Sequence, residues 1–293
     1  MKRIIHGAGL QKAGTSLLVR LLENTGMAEF LGGRGKTEGG IEWGNRPSFA
    51  PTAFPAGVIY QRNSGGEGHE IGPDDVTPDT VEYVRRDAET RLDSLPTELG
   101  ISKCPYSTVR LPWIKAILPG MFVVAVVRKP VSNTFSLLKR FRRLDGSRGP
   151  EEGWWGVKPR GWREMVSSDK ITQIANQWNA VNSKLWQDRR MVDRFVRYDI
   201  LCRYPRETLE GLLGGALEEK VTLEREFPVL RDFDDEYLRG SGLEPKRRKW
   251  IDSNELVLSQ DDDPEIGPMS SSEIDTVRQI CESTSRNLGL MDS

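Results

Sequence analysis

The sequence predicts a three-layer α/β fold, in which a central parallel sheet of about five strands has helices on both faces. Short apolar runs alternate along the chain with segments whose apolar residues recur at helical spacing, and this order is typical of parallel sheets. The run 122–127 is continuously apolar and rich in β-branched valine. Such a run indicates a central strand that is buried on both faces.

The other predicted elements follow the same alternation. The first strand is followed by a glycine-rich turn and by leucines at helical spacing, Leu17, Leu18, Leu21 and Leu22. Ser270 and Glu273 form a capping box that predicts a final helix over 270–290. Strands are predicted at 2–6, 101–103, 122–127 and 194–200. Further helices are predicted at 81–92, at 111–118, from Pro130, at 171–185 and at 205–213.

Composition and charge exclude several classes of protein. No apolar run approaches the roughly 20 residues of a membrane helix, and no signal-peptide core of about 7–15 apolar residues follows the first methionine. Three widely spaced cysteines do not indicate a disulfide framework, so a cytoplasmic protein is predicted. The net charge of −1 gives no signal for nucleic acid. Two histidines and three cysteines are a poor set of metal ligands, so no metal is expected.

The first candidate site is the glycine-rich turn between the first strand and the first helix. Backbone amides in such a turn, together with a helix N-terminus, bind anions. Gly9 and Gly14 have the spacing of the two glycines in a Walker A loop, G-x-x-x-x-G-K-[ST]. Thr15 stands in the lysine position, however, and Lys12 lies inside the loop. The pattern predicts a P-loop-like anion site in which Thr15 or Ser16 donates to a phosphate.

The second candidate site begins where the best strand ends. Arg128 follows that strand directly, and Ser136 lies eight residues later in the predicted helix. An arginine fork, a helix hydroxyl and a helix N-terminus together suit a terminal phosphate. Ser132 is the alternative hydroxyl if the register differs.

These two motifs together resemble those of sulfotransferases that use 3′-phosphoadenosine-5′-phosphosulfate (PAPS), and they are closer to the bacterial and carbohydrate-type branch than to the cytosolic small-molecule branch. Lys12 to Ser16 matches the family's phosphosulfate loop, K-x-G-T-[ST], and Arg128 with Ser136 matches its 3′-phosphate motif. The resemblance implies that Lys12 contacts the oxygen bridging phosphate and sulfate and neutralises charge as the product PAP leaves. It implies that the donor is bound by Gly9, Lys12, Ala13, Gly14, Thr15, Ser16, Arg128 and Ser136.

A third motif, Lys103-Cys104-Pro105-Tyr106, is similar to the K-[ST]-P-x turn of the carbohydrate-type branch. The resemblance implies that Lys103 assists sulfuryl transfer. Cytosolic small-molecule members carry a catalytic histidine two residues after this lysine, where this chain has Pro105. The base must then come from elsewhere. The glycan-modifying branch uses a glutamate after the first helix, and the resemblance implies Glu38, which is slightly preferred, or Glu42, with His69 in reserve.

Two further segments are similar to nucleotide-contacting segments of the family. The resemblance implies that Tyr198 lies near the adenine, although a tyrosine that packs at a sheet edge is an equal interpretation. The basic run 246–249 is similar to the family's C-terminal basic segment. This resemblance implies that Arg247 and Arg248 reach the 3′-phosphate, with the register left open.

We interpret 1–293 as a single domain. Its nucleotide-binding core is predicted to comprise 1–28, 99–143 and 190–250, and its acceptor-side loops to comprise 29–80 and 144–165. The two loop segments are expected to form the acceptor cleft, with Glu38 or Glu42 facing the sulfate. Trp43, Trp154 and Trp155 lie in these segments, where each is either an exposed platform for a flat acceptor or a plug in the local core.

The predicted function is transfer of a sulfuryl group from PAPS to a hydroxyl or amine of an acceptor, which is a carbohydrate, lipid or small molecule. A P-loop kinase is one alternative, but it needs a lysine beside Thr15 or Ser16 and an acidic Mg²⁺ ligand at a strand end, where this chain has Arg128. A nucleotide-binding protein without catalysis is the other alternative, because the catalytic histidine is absent. The sequence indicates neither the acceptor nor the oligomeric state.

Overall fold

The computed structural model describes residues 2–32, 68–144, 154–224, 227, 248–250, 256–258 and 269–291. Its strands are β1 (Arg3–Ala8), β2 (Ala28–Phe30), β3 (Leu99–Lys103), β4 (Phe122–Val127), β5 (Arg194–Arg197), β6 (Arg248–Trp250) and β7 (Leu256–Leu258). Its α-helices are α1 (Thr15–Asn24), α2 (Pro78–Asp93), α3 (Leu111–Ile117), α4 (Pro130–Leu144), α5 (Lys170–Gln187), α6 (Tyr198–Arg203), α7 (Pro205–Leu217) and α8 (Ser271–Asn287).

The first five strands form one parallel sheet in the order β2-β3-β1-β4-β5. The predicted α/β fold with a five-stranded parallel sheet is therefore confirmed. β6 and β7 form a separate antiparallel pair, in which Arg248 lies opposite Leu258. The sequence analysis did not predict this pair.

Alternate residues of β4 enter two separate cores. Val123, Ala125 and Val127 pack in the core that also contains side chains of α2, α3, α4, α5 and α8. Val124 and Val126 pack in the core that contains side chains of α1, α6 and α7. All five are buried, as expected for a central strand covered by helices on both faces.

Two predicted boundaries differ from the observed ones. The segment predicted as loop from residue 29 includes part of β2, whose three residues pair with β3. The predicted strand 194–200 ends at Arg197, and Tyr198 begins α6. Arg197 forms a two-bond ion pair with Asp199, with N···O distances of 3.1 and 2.6 Å. A carboxylate in the first turn of a helix is favoured by the helix dipole, and this ion pair accompanies the early change from strand to helix.

No helix within the described part of the chain is both long enough and apolar enough to cross a membrane.

Candidate functional site

The loop between β1 and α1 has a backbone that only glycine fits at two positions. Gly9 and Gly14 have φ values of 147° and 109°. A Cβ at Gly9 would lie 2.5 Å from the carbonyl oxygen of Val126, and a Cβ at Gly14 would lie 2.3 Å from Cδ2 of Tyr198. The two glycines therefore let the loop lie directly against the ends of β4 and β5.

The N-terminus of α1 opens from this loop. Its N-cap, Gly14, provides no side-chain cap, and its first turn contains no acidic residue. Thr15 is buried, Ser16 is partly buried and Lys12 is exposed. This turn combines helix amides, two hydroxyls and a cation, and it contains no carboxylate. Such a set of groups suits a phosphate or a sulfate.

Lys103 reaches the same helix turn from the neighbouring strand. It is the last residue of β3, pairs with Gly7 of β1 and is only 1% exposed. A Cβ at Gly7 would lie 3.5 Å from Cγ of Lys103, so the lysine stem crosses β1 where there is no side chain. Its Nζ donates to Oγ of Ser16 at 3.3 Å. The structure thus brings together two residues that are 87 positions apart in the chain.

Arg128 closes the other side of the loop. Its side chain donates to Oγ of Ser132 at 3.2 Å and to the carbonyl of Lys12 at 3.3 Å. Ser132, the alternative hydroxyl, is therefore the serine that Arg128 contacts, whereas Ser136 lies one turn farther along α4 and is partly exposed. The arrangement places a guanidinium, a hydroxyl and the start of α4 beside the glycine loop.

Tyr198 supports both the loop and the arginine. Its ring is 3% exposed and lies under Gly14. The Cζ of Arg128 lies 4.3 Å from the centroid of the ring, a cation–π contact. The packing role is thus visible at the end of β5, while the adenine contact stays a prediction.

His6 organises the floor of the site. It is completely buried between two serines. Its Nδ1 lies 3.2 Å from Oγ of Ser102, and its Nε2 lies 2.7 Å from Oγ of Ser107. Because Ser107 Oγ donates to the carbonyl of Cys104, it accepts from Nε2 of His6. Burial, with a smaller contribution from the charge of Lys115, lowers the pKa of His6 to about 4. The histidine is therefore neutral and structural.

A second bond ties this floor to the loop. The amide of Gly9 donates to Oγ1 of Thr108 at 2.8 Å, and Thr108 lies in the 3₁₀ turn Pro105–Val109 that follows Lys103. The sequence analysis missed Ser107 and Thr108 as part of the site. Their position four and five residues after the strand-end Lys103 is the sequence signal that could have indicated them.

Two described parts of the predicted acceptor-side loops contact each other. The amide of His69 donates to the carbonyl of Lys158 at 2.5 Å, and the amide of Lys158 donates to Nδ1 of His69 at 2.7 Å. Burial, with smaller contributions from the charges of Arg110 and Lys158, lowers the pKa of His69 to about 2. With Nδ1 accepting a bond, the neutral ring carries its proton on Nε2. His69 is therefore held as a structural residue, and this argues against its role as the reserve base.

Trp154 belongs to the core, so the platform interpretation is wrong for this residue. Its side chain is 1% exposed and its Nε1 donates to the carbonyl of Val157 at 2.7 Å. Its ring meets Trp162 edge-on, with 6.0 Å between centroids. Trp155 is partly buried, and Trp43 lies outside the described residues.

Several predicted site residues lie outside the described part of the chain: Glu38, Glu42 and Arg247. Arg248 begins β6. Among the residues that the structure describes, no group of three histidine, cysteine, aspartate or glutamate side chains is arranged to hold a metal ion.

Comparisons with known proteins identify the fold. No family model and no curated protein matches the sequence. Among solved structures, a sulfotransferase from Mycobacterium avium aligns over 97% of this chain and 76% of its own, with a TM-score of 0.50 and 13% identity. The sulfotransferase domain of the curacin biosynthetic pathway aligns over 100% of this chain and 99% of its own, with a TM-score of 0.47 and 11% identity.

The chain has the fold of the sulfotransferases. The resemblance indicated by the loop and arginine motifs is therefore confirmed at the level of the fold.

Proposed function

We propose that this protein is a sulfotransferase that uses PAPS and transfers its sulfuryl group to a hydroxyl or amine of an acceptor. The observation that carries this proposal is the convergence of Lys12, Lys103 and Arg128 on one glycine loop. These residues come from three different strand ends and meet at the carboxyl edge of the sheet, where open α/β folds bind ligands.

The loop side of the site suits the phosphosulfate. Bound PAPS supplies an activated sulfuryl group whose transfer needs no covalent chemistry from the protein. The amides at the start of α1 and the hydroxyls of Thr15 and Ser16 orient the anion. Lys12 and Lys103 add positive charge where negative charge develops on the departing phosphate, as in related phosphoryl transfers.

The opposite side suits a 3′-phosphate. Arg128 is held by Ser132, by the Lys12 carbonyl and by the Tyr198 ring, so its guanidinium loses little freedom when it binds an anion. Ser132 or Ser136 adds a hydroxyl from α4. A P-loop kinase would have an acidic Mg²⁺ ligand at the strand end where this chain has Arg128. The positive charge of Arg128 favours binding of a second phosphate there and not of a Mg²⁺ ion.

The acceptor side of the proposal rests on Glu38 or Glu42 as the base that takes the acceptor's proton. A carboxylate in such a role needs hydrogen-bond reach of the acceptor hydroxyl. Carbohydrates, lipids and small alcohols remain the acceptor classes to be screened with labelled PAPS.

Calorimetry with PAP tests the donor site directly. We expect PAP to bind with micromolar or better affinity in EDTA, because the site uses side-chain cations and helix amides. Arg128→Ala should weaken PAP by roughly 10- to 150-fold, which corresponds to about 1.5–3 kcal/mol for a charge-assisted contact. Adenosine 5′-phosphosulfate, which lacks the 3′-phosphate, should be weakened far less.

Arg85→Ala is the matched control, since Arg85 lies on α2 and donates to the carbonyl of Ile117. Equal losses of both ligands in Arg128→Ala would remove Arg128 as the reader of the 3′-phosphate. Binding of ATP that requires Mg²⁺, with no binding of PAP, would favour the kinase alternative.

A further inference from the structure

Two consecutive residues of α5 form hydrogen bonds to two different parts of the site, the acceptor-side segment and the strand end at Arg128. Gln177 and Trp178 are both completely buried. Nε2 of Gln177 donates to the carbonyl of Trp155, and Nε1 of Trp178 donates to the carbonyl of Arg128 at 3.1 Å. One helix turn therefore touches the backbone of the acceptor-side segment and the backbone of the proposed phosphate-binding arginine.

The bond from Trp178 fixes the arginine where β4 ends. The carbonyl of Arg128 lies between the last residue of β4 and Pro130, which begins α4. The Arg128 side chain is held from the other side by Ser132 and Tyr198. Holding the carbonyl as well leaves the guanidinium little freedom to move relative to the loop.

The bond from Gln177 fixes a segment that lies against the glycine loop. Next to Trp155, Gly156 packs so closely on Gln11 that a Cβ would lie 2.3 Å from the Gln11 Nε2 atom. The amide of Val157 points to Oε1 of Gln11 at 3.5 Å. The carbonyl of Gln11 in turn accepts from Nδ2 of Asn133 on α4 at 3.0 Å.

The buried Gln177 side chain carries a cost to stability. Its Oε1 atom is buried and has no hydrogen-bond partner among the described residues. A buried polar atom without a partner is unfavourable. An apolar side chain of similar shape would avoid this cost but would lose the bond to the Trp155 carbonyl.

We propose that Gln177 and Trp178 are positioning residues that couple occupancy of the nucleotide site to the placement of the acceptor-side segment 155–158. This inference rests on the proposed function, because Arg128 is taken as the residue that reads the 3′-phosphate. Trp178 holds the backbone of Arg128 and Gln177 holds the backbone of the segment. Because the two residues are consecutive in α5, the helix fixes their separation.

Hydrogen exchange in the presence and absence of PAP tests the coupling. In the wild-type chain, saturating PAP should slow exchange of the Val157 and Lys158 amides by about 5-fold, since these amides donate to Gln11 and to His69, outside the segment. In Gln177→Met the PAP-dependent slowing should fall below about 2-fold. PAP affinity should stay within about 2-fold of wild type, because Gln177 does not hold Arg128.

Trp178→Phe separates the other half of the coupling. A smaller aromatic ring remains, but the donor to the Arg128 carbonyl is lost. PAP binding should weaken by about 5-fold, while binding of adenosine 5′-phosphosulfate should change by less than about 2-fold. A general loss of packing would weaken both ligands equally, so the difference between the two ligands identifies positioning of Arg128.

The chain offers a matched control for each variant. Trp113 is buried and its Nε1 has no hydrogen-bond partner among the described residues, so Trp113→Phe loses ring volume without losing a bond. Gln173 lies one turn before Gln177 on α5 and is also buried. Gln173→Met and Trp113→Phe should keep the PAP-dependent slowing.

The outcomes distinguish this inference from the proposed function. PAP binding by the wild-type chain with no slowing at Val157 and Lys158, or slowing that survives in Gln177→Met, overturns the coupling alone. Absence of PAP binding by the wild-type chain overturns the proposed function and the coupling with it.

Discussion

At the scale of single residues, Lys12 combines an unusual backbone with a proposed role in binding. Its φ of 67° lies in the left-handed region, where a residue with a Cβ is strained and glycine is not. A lysine in this conformation is exposed at the tip of the loop, next to the N-terminus of α1. The loop thus accepts a left-handed backbone, at a small cost in stability, at the residue proposed to bind the phosphosulfate.

Lys12→Gly should separate binding from folding. Because glycine accepts this φ, we expect the free energy of unfolding to stay within about 1 kcal/mol of wild type. Loss of a charge-assisted contact should weaken adenosine 5′-phosphosulfate by about 10-fold or more. Calorimetry and urea unfolding measure the two quantities, and unchanged affinity would remove Lys12 from the proposed site.

Residue-level prediction from the sequence depended on motifs with short, fixed spacing. The loop residues from Gly9 to Ser16 and the strand-end residues Lys103 and Arg128 were named from such patterns, and the structure brings them together. The sequence left Trp154 open between platform and core, and kept His69 as a reserve base, because their environments depend on Trp162, Val157 and Lys158, whose contacts no local pattern reveals. Ser107 and Thr108 were missed for the same reason.

At the scale of elements, the unit of β1, glycine loop and α1 depends on close approach of the loop to α6. Gly14 ends the loop at φ 109°, and the Tyr198 ring of α6 fills the space that a side chain would need. Alanine at this position would meet both a strained backbone and a clash.

Gly14→Ala should therefore lower the free energy of unfolding by about 1–3 kcal/mol and weaken PAP binding. Gly26→Ala is a suitable comparison, because Gly26 also has a positive φ, 74°, but has no atom within 4 Å of an added Cβ. Urea unfolding should show the smaller loss for Gly26→Ala. Equal losses would indicate that strain alone, and not contact with Tyr198, determines the effect.

Element prediction was accurate where apolar periodicity is strong and weak where tertiary contacts decide. β4 and α5 begin and end close to their predicted limits. β2 was missed because three residues carry too little pattern, and it is a strand only because β3 pairs with it. The end of β5 was misplaced because apolar residues continue to Ile200, while the ion pair between Arg197 and Asp199 accompanies the start of α6.

At the scale of the whole molecule, both histidines of the chain are buried. The pKa of His6 is lowered to about 4 and that of His69 to about 2, chiefly by burial. The unfolded chain, with histidines near their ordinary value of about 6.5, binds more protons than the folded chain below that pH. The stability from these two groups is therefore complete above about pH 6.5 and is lost as the pH falls towards the folded values.

The free energy of unfolding should consequently decrease below about pH 6.5, by up to about 1.4 kcal/mol per pH unit for each histidine. His69→Asn keeps an acceptor near the Lys158 amide and cannot titrate, so its pH slope between about pH 6 and about pH 5 should be smaller by about that amount. Urea unfolding at several pH values measures the slope. An identical slope in the variant would show that His69 is not buried as a neutral ring.

The outermost strands of the five-stranded sheet bear on how copies of this protein meet in solution. β2 and β5 contain only three and four residues, and β5 begins and ends with arginine, immediately after Asp193. An unpaired strand is a template on which a second chain can add, and short length and charge both oppose this addition. The edges of the sheet that carries the site are therefore poor templates for strand pairing between chains, and this opposes aggregation of the protein.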